Sequence, residues 1–94
     1  MRLRHEPDRH RFVAAVDGGD GVLEYRPAGN GVLDCYHTYV PQALRGRGVA
    51  SRLVAFALEH AREQGLNIVP SCPFVAKIIA TDPGYQDLVE PSAR

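Results

Sequence analysis

The sequence predicts an α+β domain within the broad α/β class: a mixed β-sheet of about four strands with two helices, in the order β-β-β-α-β-α. Three observations predict it. Alternating or β-branched stretches in the first half are separated by glycine-rich breaks. A long apolar stripe with helical spacing occupies the middle of the chain. Strand character then returns beyond that helix, and a strand, helix, strand passage usually makes a parallel pair through a right-handed crossover.

"RFVAAV" (Arg11–Val16) is short and apolar, and "DGGDG" (Asp17–Gly21) breaks it with residues that tolerate positive φ. "VLEYRP" (Val22–Pro27) alternates and ends on proline, and "AGNG" (Ala28–Gly31) is a second turn, so these segments form an antiparallel meander. In "VLDCYHTYV" (Val32–Val40) strict alternation puts Leu33, Cys35, His37 and Tyr39 on one face. Both faces carry bulk, which makes this strand central. Ala50, Leu53, Val54, Ala57, Leu58 and Ala61 form the helical stripe, and Gly65 follows as its C′ residue. "LNIVPSC" (Leu66–Cys72) is the last strand. "PFVAKIIATD" (Pro73–Asp82) is a short helix with Pro73 in its first turn, and "VEPSAR" reads as a frayed tail.

Composition narrows the function. The 94 residues make one small domain, 1–94, near the size at which stability becomes marginal. Acidic and basic residues balance at 11 each, so no global field draws in nucleic acid or an anionic membrane. No apolar run is long enough for a bilayer span, and the charged N-terminus lacks a following apolar region, so a cytoplasmic location is expected. Two cysteines and four histidines without ligand spacing predict no metal. His5, His10 and His60 read as surface residues, and Cys35 as core.

The corner between the third strand and the long helix is "RGRG" (Arg45–Gly48). The first N–H groups of a helix lack internal partners and sit at the positive end of its dipole. Gly46 and Gly48 keep side chains away from those donors while Arg45 and Arg47 add charge, which suits a pyrophosphate. An ordinary loop with two solvated arginines would read the same way. Neither common nucleotide motif fits: there is no G-x-x-x-x-G-K-[ST], and Ser51 replaces the third glycine of G-x-G-x-x-G.

"RGRGVA" (Arg45–Ala50) resembles the R-x-x-G-x-G/A signature of the GNAT superfamily of acyl-CoA-dependent N-acyltransferases, at the place where that fold carries it. "HTYVPQALRGRGVASRLV" and "IVPSCPFV" resemble the very small GNAT-like proteins with a cysteine after the next strand. The resemblance implies a minimal GNAT-like fold that binds acetyl-CoA or coenzyme A. Backbone amides of Arg47, Gly48, Val49 and Ala50 would hold the pyrophosphate, with Arg45 and Gly46 shaping the loop. The flanking strands would splay, and the pantetheine arm would lie along the backbone of Thr38, Tyr39 and Val40. The thioester would then point toward His37 and Cys72. The long helices and extra strands that build the acceptor half of larger members are missing. A large acceptor that brings its own surface, a homodimer, or the absence of any acceptor would each account for that.

Cys72 precedes Pro73 at a helix start, where unpaired amides and the dipole favour a thiolate. Such a thiolate could take an acyl group and pass it on, act as general acid toward departing coenzyme A, or be a buried structural cysteine. His37 is the candidate base, with a core histidine as the alternative. Tyr85 ranks behind Cys72 as an acid. Two functions follow: an acetyl-CoA-dependent N-acetyltransferase acting on an amine acceptor, small molecule or protein, or a non-catalytic acyl-CoA-binding sensor or adaptor. A domain that binds no nucleotide is a weaker third.

Overall fold

The computed structural model describes residues 1–93; Arg94, the last residue of the tail, lies outside the described residues. Among the described residues there are five strands in the spatial order of the sequence. They are β1 (Arg2–Glu6), β2 (Arg11–Val16), β3 (Gly19–Pro27), β4 (Val32–Tyr39) and β5 (Asn67–Val69). The first four pair antiparallel, and β4 with β5 is parallel. The helix α1 (Val49–Gln64) connects that parallel pair, and α2 (Pro73–Thr81) follows β5.

The sequence reading gave about four strands, and β1 is the addition. Its charged alternation, "RLRHE", carries little apolar signal because it is an edge strand with one face in solvent. Leu3 and His5 point toward the helices, while Glu6 takes hydrogen bonds from Arg4 Nε at 2.8 Å and Arg11 Nε at 2.6 Å. The "DGGDG" break is also shorter than expected. Gly19, Asp20 and Gly21 pair with Val16, Ala15 and Ala14, leaving Asp17–Gly18 as the turn.

Gly21 has a packing reason. A Cβ there would lie 3.3 Å from Val49 Cγ1 and 3.4 Å from Val40 Cγ2, so its absence lets the first residue of α1 settle onto β3. The predicted stripe of α1 is buried at Leu53, Val54, Ala57, Leu58 and Ala61, with Val49 joining it and Ala50 only half-buried. At the far end the Gly65 and Leu66 N–H groups both donate to Ala61 O, closing the helix. Phe12, Leu23, Leu33 and Cys35 from the sheet meet Leu53, Leu58, Val75 and Ile79 from both helices in one core.

Two C-terminal expectations change. Pro70 stops β5 after Val69, short of Cys72. The tail is docked up to Glu90: Val89 bridges Ile68 in parallel, and the Glu90 N–H donates to Ile68 O at 2.9 Å. A three-residue strand gains a neighbour this way, and Leu88 and Val89 are buried.

Candidate functional site

Strands β4 and β5 stay together for three register pairs, Val32 with Asn67, Leu33 with Ile68 and Asp34 with Val69. Pro70 then turns the chain away while β4 runs on to Tyr39, so the two strands diverge. Divergence coincides with a β-bulge. Glu24 pairs with His37 but the next β3 residue, Tyr25, pairs with Cys35, leaving Tyr36 unopposed.

The bulge resets the side-chain alternation. Leu33 and Cys35 point into the core, but beyond Tyr36 it is Thr38 and Val40 that continue on that face. His37 and Tyr39 turn to the outer face, and both are exposed. The expectation that His37 and Tyr39 share a face with Cys35 is therefore corrected. A pattern of period two cannot register an inserted residue. Arg26 stacks over the bulged Tyr36 ring at 4.1 Å.

Cys72 is the N-cap residue of α2 and is 6% exposed. Its N–H donates to Cys35 O at 2.8 Å, which ties it to β4 at the bulge. Its Sγ lies 3.4 Å from Thr38 Oγ1, the side chain that the bulge turned inward. Burial opposes a thiolate there. The Thr38 hydroxyl and the amides of Val75, Phe74 and Thr38 outweigh it, and the thiol pKa falls below its ordinary value. Cys35 is the contrast: burial first, then Asp34 and Cys72, pushes its thiol up to about 12. It is a core residue, as its place on the strand predicts.

At the head of α1, Pro41 begins a short 3-10 turn over Gln42–Leu44, and Leu44 anchors it in the core. Arg45 does not point freely into solvent. Its Nε donates to Val40 O at 2.9 Å, so it fastens the loop to the end of β4. Gly46 and Gly48 hold φ of 82° and 77°, and a Cβ at either would meet nothing within 4 Å. The loop is open above both glycines. The first α-helical bond runs from the Arg52 N–H to Gly48 O at 3.1 Å. Among the described residues, the amides of Arg47, Gly48, Val49, Ala50 and Ser51 find no acceptor. Donors in that number, around glycines without side chains, fit an oxyanion-rich group such as a diphosphate.

Two adjoining hollows, each of about 250–260 Å³, lead from this loop toward Cys72. One is lined by Gly46, Gly48 and Ser51; the other reaches Thr38 and Tyr39; Val40, Arg45, Ala50 and Phe74 line both. The cleft thus brings together Thr38, Tyr39, Val40, Arg45, Gly46, Gly48, Val49 and Ala50, with Cys72 bonded to Thr38 at its inner end.

Three other residues lie elsewhere or differently. Tyr85 packs by Glu59 and Arg62 in the last turns of α1, roughly 20 Å along the helix from the loop at 1.5 Å per residue. His5 and His60 are half-buried rather than surface residues. Their rings lie 4.4 Å apart, and His5 stacks on Phe12 and hydrogen-bonds the Tyr25 hydroxyl at 2.6 Å. Asp34 was not singled out by the sequence reading. It occupies the last paired position before the strands diverge, and its Oδ1 is buried without a hydrogen-bond partner among the described residues. Its other oxygen is 4.0 Å from Arg26 Nε. An aspartate in a central strand is the signal that could have drawn attention to it. No group of three or more metal-ligating side chains occurs among the described residues, nor any helix long and apolar enough to cross a membrane.

Comparison with known proteins places this geometry. The family profile for GCN5-related N-acetyl-transferase matches residues 11–88. Protein NATD1 of Bos taurus is 33% identical over 85 residues, covering 88% of this chain and 75% of that one. Its Mus musculus counterpart is also 33% identical over 85 residues, covering 88% and 77%. Among solved structures, a GCN5-like protein from Staphylococcus aureus, determined by NMR in solution, superposes with a TM-score of 0.73. It is 28% identical, and the match covers 95% of this chain and 87% of that one.

Proposed function

This chain belongs to the GCN5-related N-acetyltransferase family, and from that premise we propose that it moves an acetyl group from acetyl-CoA to an amine by way of Cys72. The observation that carries the proposal is the Cys72 sulfur, lowered in pKa and held against Thr38 where β4 and β5 diverge. Acetyl-CoA enters as a substrate. Its diphosphate lies on the open amides of Arg47, Gly48, Val49 and Ala50, and its pantetheine arm follows the cleft past Val40 and Phe74.

The Cys72 thiolate attacks the thioester carbonyl, forming a new carbon–sulfur bond as the bond to coenzyme A breaks. The departing thiolate takes a proton from solvent. The acceptor amine, deprotonated, attacks the acetyl-cysteine, and Cys72 leaves as a thiolate ready for the next cycle. The incoming ammonium, and then the nitrogen of the tetrahedral adduct, each release one proton to solvent, since the exposed, outward His37 does not fit that role. The setting for this reaction is the cytoplasm.

One observation favours a second reading, that the domain binds acyl-CoA as a sensor or adaptor without turnover. The candidate base His37 stands on the opposite sheet face from the cleft. Intact-mass analysis after incubation with acetyl-CoA separates the two. The transferase reading expects a gain of one acetyl group in the wild type, its loss in Cys72→Ala, and its discharge on adding an amine. A wild-type protein that binds coenzyme A but gains no acetyl group, and acetylates no amine, would favour the sensor.

A further inference from the structure

The chain has two cysteines, both buried, and the chemistry above uses only one of them. The Cys72 N–H donates to Cys35 O at 2.8 Å. With ordinary bond lengths on either side of that contact, the two Cα atoms are at most roughly 6.5 Å apart, inside the span of a disulfide. Both side chains enter the same core cluster. Cys35 points inward from β4, and beyond the bulge Thr38 continues on that face. The Cys72 sulfur lies 3.4 Å from Thr38 Oγ1, so it too is on the inner side of the strand. The thiols are near enough that Cys72 contributes to raising the Cys35 pKa.

The two thiols are unequal in a way that divides the labour of an oxidation between them. Cys72, facing a hydroxyl and three amides, is the more acidic and supplies the thiolate that oxidants attack. Cys35 is 1% exposed and stays neutral, so it is inert until a reactive sulfur is brought beside it. A molecule as small as hydrogen peroxide can follow the cleft that reaches Thr38, the partner of the Cys72 sulfur. With no third cysteine in the chain, Cys35 is the one internal thiol that an oxidised Cys72 can meet.

We infer that hydrogen peroxide closes a reversible disulfide between Cys72 and Cys35 within one chain. The Cys72 thiolate attacks one peroxide oxygen; the O–O bond breaks, leaving Cys72 as a sulfenic acid and releasing hydroxide. The Cys35 sulfur then attacks the sulfenic sulfur. The S–S bond forms as the S–O bond breaks, and the departing oxygen takes the Cys35 thiol proton and leaves as water. Two electrons pass from the thiols to peroxide, and a dithiol reductant returns them. Neutral Cys35 is a slow nucleophile, which its tethered position beside Cys72 offsets. Because the Cα atoms are already within range, closure asks for rotation of the Cys72 side chain from Thr38 toward Cys35. The cross-link stands apart from the transferase reading. Where that reading holds, oxidation also removes the sulfur that accepts the acetyl group.

Intact-mass analysis of dilute wild-type protein, before and after hydrogen peroxide and without reductant, tests it. The expected product is a monomer lighter by two hydrogen atoms, with no thiol left to alkylate after denaturation and a peptide map that joins Cys35 to Cys72. Dithiothreitol should restore both thiols. Cys35→Ala should instead gain oxygen at Cys72, trapped as a dimedone adduct, and Cys72→Ala should keep its Cys35 thiol at the same peroxide dose. A wild-type monomer that gains oxygen without losing the two hydrogens, one that stays unmodified, or a cross-link formed only between chains would overturn the inference, however the variants behave. A cross-link in protein whose reduced form takes up no acetyl group from acetyl-CoA would uphold it and remove the acetyl-cysteine reading alone.

Discussion

Cys72 and Cys35 lie within one backbone hydrogen bond of each other yet have opposite thiol chemistry. Cys35 is surrounded by core and by the Asp34 carboxylate, whereas Cys72 faces a hydroxyl and three amides. Ultraviolet titration of the thiolate should show one group ionising below the range of an ordinary cysteine, absent in Cys72→Ala. Thr38→Val should move that midpoint upward, since it removes the one side-chain hydrogen bond to the sulfur. Cys35 should stay protonated through the accessible range. A single midpoint at the ordinary thiol value would contradict this account of Cys72. Much of this was legible in the sequence, because Pro73 marks a first helical turn and therefore names the residue before it. Thr38 as its partner was not, since the inward turn of Thr38 comes from a bulge that only the pairing with β3 creates.

The loop at the head of α1 was legible as an element for a similar reason. Glycines at a strand-to-helix corner are a local signal, and their positive φ and open surroundings are local consequences. What the sequence could not convey is how the corner is supported from below. Gly21 reads as a loop residue, yet it is the strand position on which Val49 rests. Gly21→Val should displace the start of α1 and cost roughly 1–3 kcal/mol through overpacking, seen as a lower unfolding midpoint in urea. Gly48→Ala meets no neighbour, so its cost is conformational, about 1–2 kcal/mol for a left-handed backbone. Strand β1 was missed because charged residues alternate along it, and β5 was drawn too long because Pro70 ends pairing before the apolar run ends.

At the scale of the whole molecule, both helices and the sheet contribute to one core, and stability rests on it. Leu53→Ala, at a fully buried position under α1, should cost about 2–5 kcal/mol, a large fraction of what a domain of this size holds. The His5, His60 and Tyr25 cluster adds a pH dependence. Burial, then the neighbouring His60, lowers the His5 pKa from its ordinary 6.5. The unfolded chain therefore takes up a proton at that position before the fold does. Stability should fall as pH drops below about 6.5 and level off once the folded pKa is passed. His5→Phe should flatten that decline in urea unfolding at pH 7.5 and below, and an unchanged slope would remove His5 from the explanation. The order of elements and the helix that carries the core were readable because both follow from periodicity. The docking of Val89 and Glu90 on β5 was not, because a short tail gives no periodicity to read.

The central claim is that the open amides ahead of α1 bind the diphosphate of the acyl carrier. Calorimetry with coenzyme A on wild type, Gly48→Ala and Gly48→Glu tests it most directly, with thermal unfolding of each variant as the check on folding. The account predicts binding to wild type, binding to Gly48→Ala, and none to a folded Gly48→Glu, whose carboxylate occupies the anion site. Undiminished affinity in Gly48→Glu, or no heat with the wild type, would contradict it.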